Sequence, residues 1–230
     1  MASDWLFTAT LLVLSVVAGA VAVSTACGVN MVFTLRISRD RAPWYRVVVP
    51  YLAGSVLGAA VVGSVLAGVG LVVRELVGAS PTAAWPGWAS LPLAVGAALL
   101  GFREVGLLRI RLPQRASQLN SDGLVLGVSR RLFWFGAWLG AAFFTYSPYG
   151  GLYLLALAVV LAPSIGTGVL LFVVFGLSRG MTVIGLSMLA STWDEAAALS
   201  DHVAAWYRPA QLLTAASLAG VVVAGAVMLL

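Results

Sequence analysis

The sequence predicts an all-α integral membrane protein, and three features of its composition predict it. Of the 230 residues, 61% are hydrophobic and only 9% are charged, and the mean hydropathy is +1.03. Apolar stretches of about twenty residues, the length that a helix needs to cross a bilayer, recur along the chain. All 13 basic residues are arginines, and most lie in short segments between those stretches. This composition excludes an ordinary soluble domain.

Six stretches of the chain are predicted to cross the membrane as helices. They cover residues 5–35, 47–73, 89–108, 132–161, 165–190 and 209–230. Before the last of them, Thr192 is followed three positions later by Glu195, which is the pattern of a capping box. That pattern predicts a short helix over 193–206 that lies at the membrane interface.

The distribution of arginine indicates how the helices are oriented. Arginine-rich segments fall between the first and second stretches and between the third and fourth, whereas the other side carries Arg74 alone. Because basic loops stay in the cytoplasm, both termini are predicted to lie outside the plasma membrane. Six spans divided three and three then have opposite orientations, as in an inverted repeat. The single predicted domain, 1–230, comprises a first repeat (1–113), a cytoplasmic loop (114–131) and a second repeat (132–230).

Several kinds of chemistry are excluded by the residue counts. A single cysteine cannot form a disulfide within the chain. One histidine and eight carboxylates show no ligand spacing, so neither a metal nor a cofactor is predicted. The net charge of +5 resides in short loops, where arginine determines topology. The predicted partner is therefore the lipid bilayer, and nucleic acid is rejected.

Two predicted spans contain a polar, helix-breaking segment near their middle. A run of small residues precedes residues 24–28 in the first span, and a similar run precedes residues 146–150 in the fourth. Irregular backbone at membrane depth is tolerated only where protein buries it or water reaches it. Because the two segments occupy corresponding positions in the two repeats, we expect them to face each other and to pair Cys27 with Tyr149.

Cys27 is the candidate redox thiol, and its neighbours are predicted to line the site. A lone cysteine in a membrane helix is either a small packing residue or a reactive thiol. Ser24 and Asn30 lie about one helical turn from Cys27 on either side. Pro148 and Tyr149 belong to the second break, where the Tyr149 hydroxyl either donates a hydrogen bond to the Cys27 sulfur or fills space locally.

Arg179 is the last of the site-lining candidates, because a guanidinium inside a span is costly unless it is paired or hydrated. It is interpreted either as a cavity-facing cation beside a broken helix, suited to an anion or a partner's carboxylate, or as a side chain that snorkels to the inner interface. Pairs of glycines four residues apart predict close helix packing. These pairs are Gly54/Gly58, Gly136/Gly140 and Gly176/Gly180.

Several segments are similar to one family of membrane proteins. They are Pro50-Tyr51-Leu52-Ala53-Gly54-Ser55 with Gly63, Gly96-Ala97-Ala98-Leu99-Leu100-Gly101, Gly106-Leu107-Leu108-Arg109-Ile110, Gly140-Ala141-Ala142-Phe143, Ser147-Pro148-Tyr149-Gly150-Gly151 and Phe175-Gly176-Leu177-Ser178-Arg179-Gly180. Over nearly all six predicted spans the chain resembles the cytochrome c biogenesis protein CcdA and the related transmembrane domain of the disulfide reductase DsbD. The resemblance implies a CcdA-like fold of two inverted three-helix repeats.

The resemblance also implies a chemistry. In that family a cysteine in span one and a cysteine in span four form a membrane-embedded pair, which passes reducing equivalents from cytoplasmic thioredoxin to extracytoplasmic thioredoxin-like acceptors. Cys27 matches the first cysteine and Pro148 matches a family proline. Tyr149 stands in place of the second cysteine, while Ala26 and Asn30 stand in place of flanking prolines. The chain thus resembles a degenerate member, and whether it is an enzyme is left open.

Three functions follow as hypotheses. The first is transmembrane thiol or electron transfer, or cytochrome c-type biogenesis, in which a thioredoxin-like or other thiol-bearing partner subunit supplies the missing thiol. The second is a non-catalytic scaffold subunit of a larger membrane complex. The third is a small-solute transporter built on the same inverted repeat.

Overall fold

The computed structural model describes residues 2–78, 85, 87–112, 127–142, 147–189 and 192–229. Helices account for 88% of the described residues, and no strand occurs among them. The described helices are α1 (Ala2–Val21), α2 (Ala26–Arg41), α3 (Trp44–Val77), α4 (Gly87–Glu104), α5 (Val128–Gly140), α6 (Gly150–Leu161), α7 (Ile165–Leu189), α8 (Trp193–Ala205) and α9 (Tyr207–Leu229), with a 3-10 turn over Ala22–Ser24. The predicted all-α class is confirmed.

Four helical segments are long and apolar enough to cross a membrane. They are Ser3–Ser24, Trp44–Leu76, Ile165–Leu189 and Tyr207–Leu229. Only 22% of the most apolar window of α3 is buried in the protein, so its valines and leucines face outward, as side chains in contact with lipid do. The protein is therefore an α-helical membrane protein. Six complete spans stay a prediction, because α4 ends in two charged residues and α6 has only 12 residues. The inverted repeat stays a prediction as well.

Close backbone contacts hold α3 against α5 and α7. A Cβ atom added to Gly54 would collide with the Phe133 carbonyl oxygen, and one added to Gly140 would collide with the Ser55 carbonyl oxygen. At Gly176 an added Cβ would lie 2.6 Å from the Ala59 Cβ. All three predicted glycine pairs therefore lie at close helix contacts, and at every one of these glycines except Gly180 an added Cβ would collide with backbone or a Cβ atom. The prediction of close packing at these positions is confirmed.

The other helices pack around a short central helix. α4 packs against α9, and α1 packs against both α7 and α9. α6 contacts α1, α3, α4 and α7, and seven of its residues are buried. Such burial on several sides fits its uninterrupted apolar sequence, since a helix that is hydrophobic all round is surrounded by other helices.

Both of the predicted helix breaks are present among the described residues. The first predicted span is divided between α1 and α2, which the 3-10 turn separates. The fourth predicted span is divided between α5 and α6, and residues 141–142 and 147–149 between them are not helical. Residues 143–146 lie outside the described part, as do residue 113 and residues 114–126 of the predicted cytoplasmic loop.

The predicted interfacial helix is also present, as α8. Its capping box is reciprocal: the Glu195 amide donates to Thr192 Oγ1 at 3.2 Å, and the Thr192 amide donates to Glu195 Oε2 at 3.2 Å. At the same end of the bundle, Arg39 of α2 donates to the Ser187 carbonyl in the last turn of α7 at 3.0 Å. The Ser129 hydroxyl of α5 donates to the Arg46 carbonyl of α3 at 2.9 Å. The arginine-rich ends of α2, α3 and α5 therefore lie together.

Candidate functional site

Cys27 lies on the first turn of α2, directly after the first break. Thr25 is the N-cap of this helix: its hydroxyl accepts a hydrogen bond from the Gly28 amide at 3.4 Å and donates to the Ala22 carbonyl at 2.7 Å. Gly28 is required here because an added Cβ would collide with the backbone of Val23. The local sequence thus ends one helix and starts the next within four residues, and it places the thiol at a helix N-terminus.

The thiol is buried beside a charged group. Cys27 is 7% exposed and belongs to an apolar cluster that includes Tyr51 and Leu139. Arg179 of α7 is 0% exposed and interacts electrostatically with both Cys27 and Tyr51. A helix N-terminus and a nearby guanidinium are two of the surroundings in which reactive thiolates occur in proteins. We call Cys27, Tyr51, Leu139 and Arg179 the thiol cluster.

Arg179 also donates a hydrogen bond to the C-terminal end of a neighbouring helix, α5. Its Nη1 atom donates to the Leu139 carbonyl in the last turn of α5, at 2.8 Å. The C-terminal carbonyls of a helix lack intrahelical donors and carry partial negative charge, so a guanidinium satisfies both needs. The interpretation that Arg179 snorkels to the interface is therefore wrong, because the side chain is fully buried and bound to the interior of the protein.

On the other side of the same break, a buried carboxylate accepts a hydrogen bond from the first amide of α6. Glu104, the last residue of α4, is 1% exposed, and its Oε1 atom accepts a hydrogen bond from the Gly150 amide at 2.7 Å. Arg103 Nη1 donates to that same oxygen at 2.7 Å and to the Pro148 carbonyl at 2.8 Å. A negative charge at a helix N-terminus is favourable for the same electrostatic reason that a positive charge is favourable at a C-terminus.

The C-terminal end of α6 also binds a charged side chain, which here is positive. The Arg74 guanidinium, from α3, donates to the Leu161 carbonyl at 2.7 Å, to the Ala162 carbonyl and to the Pro163 carbonyl at 3.3 Å. With 12 residues, α6 is about 18 Å long, which is shorter than the hydrocarbon core of about 30 Å. In the predicted fourth span, a helix of this length would have at least one end at membrane depth, where an uncapped helix end is costly.

Tyr149 links the two breaks. Its hydroxyl forms a hydrogen bond with the Ser24 hydroxyl, and its ring lies 5.7 Å from the ring of Tyr207. Gln211 Nε2 donates to the Tyr207 hydroxyl at 3.3 Å, and the Gln211 side chain lies near the Glu104 carboxyl group, to which it forms no hydrogen bond. We call Ser24, Tyr149, Tyr207 and Gln211 the polar chain.

The predicted site residues are brought together only in part. Tyr149 meets Ser24, and the Pro148 carbonyl faces Arg103, so the two breaks do face each other. The expected pairing of Tyr149 with Cys27 is not observed, because no hydrogen bond joins the Cys27 sulfur to another described residue and the two side chains belong to different apolar clusters. Asn30 is exposed on the surface of α2, where its carbonyl accepts from Thr34.

Glu104, Tyr51 and Arg74 are among the residues of the site that were not predicted candidates. Glu104 is the one carboxylate that the predicted third span contains, and a charge in a span is the signal that could have identified it. Tyr51 lay in a segment that carried the family resemblance, and Arg74 was considered only for topology. The Gly150 amide that binds Glu104 and the carbonyls that bind Arg74 lie 46 to 89 positions away along the chain, so helical periodicity cannot indicate them.

Neither a metal-binding group among the described residues nor a known relative helps to interpret the site. No group of three histidine, cysteine, aspartate or glutamate side chains that could hold a metal occurs among the described residues. Comparison with protein-family models, with curated proteins and with solved structures finds no match for this chain. The resemblance to CcdA stays a prediction, and the functional interpretation depends on the thiol cluster and the polar chain.

Proposed function

We propose that this chain is a CcdA-like membrane protein in which Cys27 takes part in transmembrane thiol or electron transfer, or in cytochrome c-type biogenesis, together with thiol-bearing partner subunits. One observation carries the proposal. Cys27 occupies the first turn of a helix that begins inside the protein, within electrostatic reach of the buried Arg179 guanidinium. A thiol that only fills space needs neither a helix N-terminus nor a buried cation beside it.

The proposed chemistry is thiol-disulfide exchange in three balanced steps. The Cys27 thiolate attacks a disulfide of a first partner, so that a mixed disulfide forms and the second partner sulfur leaves as a thiolate. A thiolate of a second, dithiol partner then attacks the Cys27 sulfur and displaces the first partner. The remaining thiolate of the second partner attacks its own bound sulfur and releases Cys27. The first partner is reduced, the second is oxidised, and Cys27 is unchanged.

Partner thiols are needed because the chain has one cysteine. Tyr149 cannot replace the second thiol, since a phenol has no comparable two-electron couple with sulfur. In the structure its hydroxyl is bonded to Ser24. Cys27 is also nearly inaccessible, so a partner must separate the helices around it before attack. Membership in a larger membrane complex follows from this need for partners.

We predict that Cys27 can be trapped in a mixed disulfide. Native membranes are treated with N-ethylmaleimide to block free thiols, and the tagged chain is purified without reductant. We expect a slower-migrating species on a gel, which disappears on reduction and is absent from a Cys27→Ser variant. The Arg179→Gln variant should form it more slowly than the Arg179→Lys variant, because only lysine retains the positive charge near the thiol.

The same gel separates the proposal from the scaffold hypothesis. A scaffold subunit co-purifies with other chains but forms no reducible species, and the Cys27→Ser variant supports growth and assembly as well as the wild type does. That combination would remove Cys27 from the mechanism. Blue-native electrophoresis of each variant checks that the complex itself is intact.

A second candidate function, small-solute transport, is favoured by a specific observation. Glu104 is a buried carboxylate at the N-terminus of a short internal helix, and the polar chain lies between it and the first break. Buried carboxylates next to interrupted helices occur in the proton and substrate pathways of membrane carriers. Glu104 would bind and release the proton of a proton-coupled carrier.

We predict that a Glu104→Gln variant loses proton movement if this second function holds. Glutamine keeps an acceptor for the Gly150 amide but cannot bind a proton at neutral pH. Proton uptake, driven by a potassium diffusion potential, is measured with a pH-sensitive dye inside proteoliposomes. Wild type and the Glu75→Gln control, which alters an exposed carboxylate, should exceed empty liposomes. Equal uptake by Glu104→Gln and wild type, or none above empty liposomes, would remove the carrier.

A further inference from the structure

A separate cavity lies between α2 and the start of α5, at the arginine-rich end of the bundle. Its volume is about 410 Å³, which is within the range of about 300–1,000 Å³ that small-ligand pockets span. Arg41 and Ser38 of α2 line it, together with Val128 and Arg131 of α5. No carboxylate is among the described residues that line this cavity. It is therefore a positively charged cavity, which we call the arginine cavity.

The two arginines of this cavity differ from Arg36 and Arg39 of α2. Arg36 forms an ion pair with Asp40, and Arg39 donates to a carbonyl of α7. By contrast, neither Arg41 nor Arg131 forms an ion pair with a described residue. The Nε atom of Arg131 is buried and makes no hydrogen bond within the described part of the chain. Within the described part of the chain, no carboxylate therefore balances the charges of Arg41 and Arg131, and an anion in the cavity would balance them.

The first turn of α5 also lacks a negatively charged group of its own. Its N-cap is Gly127, which has no side chain to cap the first-turn amides. The first turn also contains Arg130 and Arg131 and no acidic residue. Positive charges at a helix N-terminus oppose the helix dipole, whereas an anion there is stabilised by it. An anion in the arginine cavity would therefore interact favourably with two guanidinium groups and with the dipole of α5.

We propose that the arginine cavity binds a phosphate group, carried either by an anionic lipid headgroup or by free phosphate. Guanidinium groups bind phosphate with two parallel hydrogen bonds, which suits a cavity with two arginines. Thr34 and Ser38 add no donors, because their hydroxyls donate to carbonyls of their own helix. Recognition thus depends on charge and on the guanidinium geometry. This inference is independent of the function proposed for Cys27.

Native mass spectrometry of the full chain in nanodiscs or mild detergent tests this inference. Phosphatidylglycerol and phosphatidylcholine are offered in equal amounts. We expect the wild type to retain phosphatidylglycerol, and we expect Arg41→Gln and Arg131→Gln each to lower its retention about fivefold, the effect of removing one cation near an anionic lipid. The matched controls are Arg36→Gln and Arg130→Gln, which make the same charge change outside the cavity and should leave retention unchanged.

Two further arms make the result decisive. Arg131→Lys keeps the charge and should retain more lipid than Arg131→Gln, and thermal unfolding in neutral lipid checks that each variant folds. If inorganic phosphate competes with phosphatidylglycerol, the cavity takes free phosphate; if it does not, the lipid headgroup is the ligand. Both of these results support a phosphate site. Equal retention of phosphatidylglycerol by all four glutamine variants would overturn it.

Discussion

Replacing Gly54 with alanine is expected to destabilise the protein by about 3 kcal/mol or more, the upper part of the range for overpacked sites. The added Cβ would collide with the Phe133 carbonyl oxygen of α5, and a backbone atom cannot move aside as a side chain can. The reciprocal site behaves in the same way, since a Cβ at Gly136 would collide with the Tyr51 carbonyl. Relief requires α3 and α5 to separate, and this would also open the thiol cluster.

The matched control for this variant is Gly68→Ala in the same helix. A Cβ at Gly68 would meet no atom within 4 Å, so alanine there should be neutral or should stabilise by up to about 1 kcal/mol through helix propensity. Both variants are unfolded in mixed detergent and followed by tryptophan fluorescence. Similar midpoints for Gly54→Ala and Gly68→Ala would show that the close contact of α3 and α5 is not needed for stability.

Replacing Arg74 with alanine is expected to have the second largest effect on stability. It removes donors from three consecutive carbonyls at the end of α6, and we expect a loss of about 3 kcal/mol, the value of one to two charge-assisted hydrogen bonds. Arg74→Lys should recover only part of the loss, because an ammonium group lacks the planar fork that reaches several acceptors.

Detergent unfolding again measures the effect of Arg74, with Glu75→Gln as the control. Glu75 is the next residue along α3 and is exposed, so its replacement should change the free energy of unfolding very little. If Arg74→Ala unfolds at the same detergent fraction as Glu75→Gln does, the carbonyls of α6 do not depend on the guanidinium. That result would show that water or lipid headgroups satisfy them.

The charged residues inside this protein are explained by the interrupted helices. Arg179 lies at the end of α5, Glu104 at the start of α6 and Arg74 at the end of α6. Each charge has the sign that the adjacent helix end favours. A span that is divided in two creates additional helix ends, and each end needs a partner that lipid cannot supply. Cys27 lies at the start of another such helix, whose first turn is capped by the neutral side chain of Thr25.

Local patterns in the sequence predicted much of this fold. Composition predicted a membrane protein, Thr192 and Glu195 predicted the cap of α8, and the glycine pairs predicted positions of close helix packing, though not which helices meet there. The breaks near Ser24 and Tyr149 were also predictable, because small and polar residues interrupt apolar runs there. All of these features arise from residues within a few positions of one another, and for this reason they can be read from a single sequence.

The tertiary structure alone decided the partners of the charged and polar residues. Whether Arg179 reached the interface or the interior depended on where α5 ended, 40 positions away. Tyr149 bonds with Ser24 instead of Cys27 because the packing of α1 and α6 brings the two hydroxyls together. The hydropathy of a residue indicates whether it prefers lipid or protein, but it does not indicate which helix end packs against that residue. The sequence by itself therefore determined the class of protein and the places where its helices break. Packing determined which side chain forms hydrogen bonds with the free backbone groups at each break.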